Sequence, residues 1–116
     1  MSGITTHVLD TARGRPAAGV GVTLEARAAG GGGGWVTVAR GQTDEDGRLR
    51  DLLPPDSALG AGDYRLTFDA GGYFAAHGAE GFYTEVSVAF VVRDPAAHYH
   101  VPLLLSPYGY TTYRGS

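Results

Sequence analysis

The sequence predicts an all-β protein, a β-sandwich of two sheets with eight strands and one short helix. Glycine is abundant, at 19 of 116 residues, and it separates short segments in which apolar and polar side chains alternate. These segments follow one another at regular spacing, and no internal repeat interrupts them. We therefore expect a single domain over residues 1–116, small enough that association with further copies would help to bury apolar surface.

The first half of the chain contains four predicted strands. The clearest is Val20–Ala26, in which every other residue is apolar. The five consecutive glycines of Gly30–Gly34 can form only a flexible connection to the strand that follows. The four strands are predicted at Ile4–Leu9, Val20–Ala26, Trp35–Arg40 and Arg48–Leu53, with turns at Arg13–Pro16 and Thr43–Gly47 and a stop at Pro54 and Pro55.

The second half adds four more strands and the helix. Between Gly72 and Gly78 the alternation stops, and Tyr73–His77 fits one short helix. Asp94 with Pro95, and Ser106 with Pro107, mark breaks between strands. The strands are predicted at Tyr64–Phe68, Glu85–Val92, Tyr99–Leu105 and Tyr108–Tyr113.

The composition excludes several classes of function. A net charge of -3 and a pI near 5.7 argue against a nucleic-acid partner, because phosphate binding needs a basic surface. Cysteine is absent, so neither disulfide bonds nor thiolate chemistry are available. No apolar run is long enough for a membrane helix, and no signal-peptide pattern follows Met1, so we expect a cytoplasmic protein with no membrane partner.

Histidines lie on one face of each terminal strand. On Tyr99–Leu105 the apolar odd-numbered residues form the core face, so His98 and His100 point outward. His7 lies in the middle of the first predicted strand, on the face that also carries Thr5. Taken singly, each histidine could equally be a solvated surface residue.

Further candidate site residues are an arginine and the C-terminal segment Tyr113–Ser116. Arg48 opens a strand after an Asp-Gly turn, and Arg50 competes with it for any role; either could be a solvated edge charge that discourages aggregation. Tyr113–Ser116 could be a frayed polar end. The histidines at 7, 98 and 100 lack the further ligands of a zinc site, and Asp44–Asp46 lacks the spaced oxygens of a calcium loop. We expect neither a metal nor a cofactor.

The residue types that remain support acid–base chemistry. Imidazole titrates near neutral pH and can take a proton from water, and an arginine can neutralise a developing anion. No Gly-x-Ser-x-Gly elbow is present, which disfavours a serine nucleophile. Attack by an activated water on an electrophilic ring carbonyl is the chemistry that these residues fit.

Three segments of the chain together resemble one known family. His98–Ser116 reads HYHVPLLLSPYGYTTYRGS, Ile4–Asp10 reads ITTHVLD, and Thr43–Leu49 reads TDEDGRL. They are similar to the C-terminal Tyr-Arg-Gly-Ser signature, the first strand and the Asp-Gly-Arg turn of the 5-hydroxyisourate hydrolases, enzymes of the transthyretin-like family. The three motifs occur in the family's order and span nearly the whole chain.

The resemblance implies a transthyretin-like sandwich that opens the six-membered ring of 5-hydroxyisourate during urate degradation. The product would be 2-oxo-4-hydroxy-4-carboxy-5-ureidoimidazoline. Carried over motif by motif, the family pattern implies that His7, Arg48, His100 and Ser116 are catalytic and that His7, Arg48 and Tyr113 bind the substrate. It leaves open which histidine is the general base.

The resemblance also implies a homotetramer around a central channel, with the sites at the dimer–dimer interface. The alternative is a transthyretin-like carrier, which would bind a small ligand without turning it over. A carrier needs no paired histidines and no arginine in its channel, so the sequence favours the enzyme.

Overall fold

The computed structural model describes residues 3–28, 33–54, 57 and 59–116, and in these ranges the strands form two sheets with one short helix. The predicted all-β sandwich is therefore confirmed. The elements are β1 (Gly3–Asp10), β2 (Arg15–Pro16), β3 (Gly21–Arg27), β4 (Trp35–Gln42), β5 (Arg48–Leu49), β6 (Gly62–Phe68), α1 (Ala70–Ala76), β7 (Val86–Val92), β8 (His98–Ser106) and β9 (Gly109–Thr112).

One sheet has the strand order β2-β1-β8-β9, with β5 also beside β1, and the other has the order β4-β3-β6-β7. β1 and β8 run parallel, with their registers aligned from Gly3 opposite His98 to Asp10 opposite Leu105, whereas the other pairs are antiparallel. The first strand and the histidine-bearing strand near the end of the chain are thus direct neighbours.

The core lies between the two sheets and follows the predicted alternation. Leu24, Leu66 and Phe68 from the four-stranded sheet are fully buried. The core face predicted for the histidine-bearing strand is confirmed, because its four apolar residues are all buried: Tyr99, Val101, Leu103 and Leu105. His98 and His100 consequently lie on the outer face, which fixes the side of the sheet on which a site can form.

Most strands end within about two residues of the predicted bounds. The described residues contain nine strands rather than eight, because Arg15–Pro16, predicted as part of a turn, pairs with the end of β1. The predicted strand Arg48–Leu53 ends at Leu49, since the chain bends after β5 and buries Leu52 in the core.

The helix begins earlier than the predicted Tyr73–His77. The Asp69 carboxylate caps it by accepting the backbone N–H of Gly72, and two glycines in its first turn conceal its start in the sequence. Gly30–Gly32 of the glycine tract and Pro55 lie outside the described residues. Within those residues, no helix is long and apolar enough to cross a membrane.

Candidate active site

A cleft of about 450 Å³ opens where β1 and β8 begin. Its wall combines the first residues of β1 and β8, the segment that follows β5, and the end of the chain. Nine of the lining residues carry polar or charged side chains: Thr5, Thr6, Arg48, Arg50, Asp51, Ser57, His98, His100 and Ser116. Of the predicted site residues, the structure therefore brings Arg48, His100 and Ser116 together.

A tight turn places Arg48. The Asp44 carboxylate accepts the backbone N–H groups of Asp46 at 2.8 Å and of Arg48 at 3.0 Å. The bond from Arg48 is the largest cause that lowers the pKa of Asp44. Gly47 has a φ of +74°, and a Cβ there would collide with the backbone oxygen of Val8, so only glycine fits. The Asp-Gly-Arg motif is therefore a docked turn that fixes the start of β5.

His7 lies opposite Arg48 in the pairing of β1 with β5, so both side chains are on the same face. Its Nε2 donates to the backbone oxygen of Asp46 at 2.9 Å. A carbonyl can only accept, so the proton of the neutral ring is on Nε2 and the lone pair is on Nδ1. His7 is not among the residues that line the cleft of this chain, and its catalytic role stays a prediction.

His100 is half-buried and bound through one ring nitrogen. Its Nδ1 is hydrogen-bonded to Thr5 Oγ1 at 2.8 Å, and the same oxygen is hydrogen-bonded to Nε2 of His98 at 2.9 Å. Burial lowers the pKa of His100, with smaller contributions from the positive charges of His98, Arg48 and His7. The neutral ring is therefore the favoured form near neutral pH, which is the form that a general base requires.

The end of the chain is bonded to β8 and does not form a free tail. The Arg114 guanidinium lies 4.5 Å from the centre of the Tyr99 ring, and its Nη2 donates to the backbone oxygen of His98 at 3.3 Å. A cation above an aromatic face is attracted by the ring quadrupole. Arg114 thus anchors the tail to β8 and leaves Ser116 in the cleft wall.

Gly115 brings the tail close to His100. Its N–H donates to the backbone oxygen of His100 at 2.8 Å, forming an isolated bridge between the tail and β8. A Cβ at Gly115 would lie 2.7 Å from Cδ2 of the His100 ring, which is closer than real carbon atoms approach. The glycine of the terminal motif is therefore required by packing against the imidazole.

The structure places Tyr113 away from the cleft. Its side chain is 55% exposed, and it does not line the cleft. Its predicted contact with the substrate stays a prediction. Sequence reasoning assigned no role to Thr5, although the alternation along β1 places it on the face of His7, and none to His98, although it shares a face with His100.

The described residues contain no group of three or more histidine, cysteine, aspartate or glutamate side chains that could hold a metal ion. The cleft wall brings together two imidazoles, two guanidinium groups, one carboxylate and several hydroxyls. This arrangement suits proton transfer next to a site that stabilises negative charge.

Comparison with known proteins gives the family. Residues 4–115 match the HIUase/Transthyretin family. The chain is 48% identical to the 5-hydroxyisourate hydrolase of Caulobacter vibrioides over the full length of both proteins. It superposes on the Klebsiella pneumoniae 5-hydroxyisourate hydrolase with a TM-score of 0.82 and 38% identity, covering 97% of this chain and 98% of that one. Sea bream transthyretin in complex with thyroxine gives a TM-score of 0.87 at 33% identity, covering 97% and 93%. The chain therefore belongs to the HIUase/Transthyretin family.

Proposed function

We propose that this protein is a 5-hydroxyisourate hydrolase that opens the six-membered ring to 2-oxo-4-hydroxy-4-carboxy-5-ureidoimidazoline in urate degradation. Its enzymatic class, a hydrolase, follows from the full-length similarity to curated 5-hydroxyisourate hydrolases. The observation that carries the proposal is the meeting of Arg48, His100 and Ser116, from three distant parts of the sequence, in one cleft.

The proposed reaction begins at Nε2 of His100, the ring nitrogen that is not bonded to Thr5. This nitrogen takes a proton from a water molecule while the water oxygen bonds to the ring carbonyl carbon of the substrate. Arg48 stabilises the negative charge that develops on the carbonyl oxygen, because a fixed guanidinium needs no reorganisation when the charge forms. The carbon–nitrogen bond of the cyclic amide then breaks, the ring nitrogen gains a proton, and the carbonyl carbon becomes a carboxyl group.

We further propose a homotetramer with its sites at the dimer–dimer interface. Support comes from the outer face of the five-stranded sheet, where His7, Leu9 and Leu104 are only partly covered by their own chain. A second subunit packed there would extend the cleft towards His7 and Tyr113, which gives both residues a route to the substrate. Light scattering with a monomeric mass at full activity would contradict this assembly. The cytoplasmic location expected from the sequence stays a prediction.

The test is a coupled assay. Uricase converts urate to 5-hydroxyisourate, and the decay of hydroxyisourate absorbance is followed with and without this protein. We expect a faster decay in proportion to the protein added. The similarity to a thyroxine-bound transthyretin keeps a carrier function as the alternative. A carrier would bind 5-hydroxyisourate without accelerating its spontaneous decay, and that result would refute the hydrolase function.

A further inference from the structure

Three side chains at the cleft form a continuous hydrogen-bonded chain. Thr5 Oγ1 lies between Nδ1 of His100, at 2.8 Å, and Nε2 of His98, at 2.9 Å. The parallel register explains the geometry, because Thr5 is opposite His100 and His98 is opposite Gly3. Gly3 has no side chain to fill the space across from His98, so the imidazole can reach diagonally to Thr5.

The hydroxyl of Thr5 has one hydrogen, so it can donate to only one of the two rings. If Thr5 donates to His98, then His100 must donate its Nδ1–H to Thr5, and its Nε2 carries the lone pair. If Thr5 donates to His100 instead, then His98 must donate to Thr5, and the Nε2 of His100 carries the hydrogen. In the first arrangement Nε2 of His100 can accept a proton, and in the second it is a hydrogen-bond donor.

The two histidines differ in how well they can hold a positive charge. His98 is exposed to water, whereas His100 is half-buried, with Arg48 and His7 on the same face. A cation at His100 would lose part of its hydration and be repelled by the guanidinium of Arg48. A cation at His98 keeps more of its hydration. A path between the rings would therefore move the charge to the more favourable position.

We propose that Thr5 relays protons between His100 and His98, so that the positive charge formed when water is deprotonated rests on exposed His98. The relay rests on the proposed hydrolase function and assigns Thr5 and His98 to proton handling in that reaction. Thr5 is then a positioning and relay residue, and His98 is an exposed proton reservoir in the cleft wall.

The relay balances over one turnover. When Nε2 of His100 takes the proton of water, its Nδ1–H passes to Thr5 Oγ1 and the original hydroxyl proton passes to Nε2 of His98. When the carbon–nitrogen bond breaks, Nε2 of His100 gives its proton to the ring nitrogen of the substrate. In the same step the proton on His98 returns through Thr5 to Nδ1 of His100, so the ring stays neutral and the starting arrangement is restored. The new carboxyl group of the product ionises in water.

The relay is tested with Thr5→Val, which removes the hydroxyl, and Thr5→Ser, which keeps it. We expect Thr5→Val to lower kcat roughly a hundredfold, the low end of the range for a positioned proton transfer, with KM little changed. Thr5→Ser should retain most of the activity. Thr67→Val is the matched control, because its hydroxyl bonds to Ser87 within the four-stranded sheet and does not line the cleft, so kcat should be unchanged.

A second variant tests the relay without changing any residue of β1. His98→Gln changes an exposed side chain, and we expect a similar loss in kcat that added imidazole buffer restores. A merely structural role for His98 would not be rescued in this way. The wild-type enzyme should also show a curved dependence of kcat on the fraction of D₂O, which becomes linear in Thr5→Val, because fewer protons then move in the slow step.

Each outcome decides one question. If wild-type protein does not accelerate the decay of 5-hydroxyisourate, the proposed function fails. If the wild type is active and either Thr5→Val or His98→Gln retains full kcat, the relay alone is overturned. A loss in His98→Gln that imidazole does not restore also overturns it. Circular dichroism and light scattering check that each variant keeps the fold and assembly of the wild type.

Discussion

The outer faces of the two sheets satisfy their polar groups in different ways. On the four-stranded sheet, Arg65 bonds to Glu25 at 2.8 Å and Thr67 bonds to Ser87 at 3.1 Å. Both pairs join residues directly opposite each other in the register, so each polar group has its partner on the next strand. These two pairs are complete within one chain, and such pairs contribute little more than local stability.

The outer face of the five-stranded sheet also has a cross-strand pair, Thr5 with His100, but its histidines keep further hydrogen-bonding capacity. Its histidines bond to a hydroxyl and to a backbone carbonyl, and each such ring has a second nitrogen for other partners. The same alternation of side chains thus gives polar pairs that bond to each other on one sheet, and histidines that can bind a further partner on the other. The difference comes from residue type, since imidazole has two nitrogens of which a neighbouring strand can satisfy only one.

The largest effect expected is that of His100→Asn. Asparagine cannot act as a base, so kcat should fall by roughly 10²- to 10⁴-fold, as is common when a general base is removed. The measurement is the coupled uricase assay on protein shown to be folded. His77→Asn, at the end of α1 and outside the cleft, is the control and should keep full activity. A fully active His100→Asn would move the base to His7.

Arg48→Ala should cause the second-largest loss of activity. Loss of a fixed donor where negative charge develops typically costs about 2.7–4 kcal/mol of transition-state stabilisation. Arg50→Ala should cost less, because Arg50 is exposed although it lines the same cleft. Arg65→Ala, on the outer face of the four-stranded sheet, should change only stability, by about 0–1 kcal/mol. Steady-state kinetics of the three variants measures these losses. Equal losses of activity in Arg48→Ala and Arg50→Ala would contradict the role assigned to Arg48.

Gly115→Ala should have a smaller effect. A methyl group 2.7 Å from Cδ2 of His100 has to displace the imidazole or the tail. Displacements on the order of 1 Å can cost about a hundredfold in rate, and we expect a loss in kcat up to that size without unfolding. Gly109→Ala is the matched control, since its Cβ would meet only Ser106 Oγ at an ordinary 3.7 Å. Equal activity of both variants would contradict the packing role.

The smallest effect concerns pH. The pKa of His100 lies below 6.5, mainly through burial. The base form should therefore survive below pH 6.5, and kcat should fall only as pH drops through the lowered pKa. The unfolded chain binds this proton more readily, so the contribution to stability is complete above about 6.5 and is lost as pH falls through the folded pKa. Histidine titration by NMR checks the shift, and a value at or above 6.5 would refute it.

Much of the fold followed from the sequence because sandwich strands are read directly from alternation. The buried Tyr99 and Val101 and the outward His98 and His100 needed only the period of two. The short strand at Arg15–Pro16 was missed because two residues carry no period. The early start of α1 was hidden by glycines, whose role there depends on the Asp69 cap.

The candidate site was less accessible from sequence. Arg48, His100 and Ser116 could be grouped because they resemble known motifs, but their meeting depends on the parallel pairing of β1 with β8 and on the anchored tail. Periodicity cannot state which strands are neighbours. The link from Thr5 to both His98 and His100 depends on that register, which explains why no residue pattern indicated it.

The parallel pairing of β1 with β8 also determines how late in folding the candidate site can form. Thr5 and His100 are 95 residues apart, whereas the pairing of β3 with β4 and that of β6 with β7 close much shorter loops. Distant contacts form slowly because most of the chain must already be confined. During refolding, the fluorescence of Trp35 on β4 should therefore recover before hydrolase activity. Catalytic competence would be among the last properties that this chain acquires.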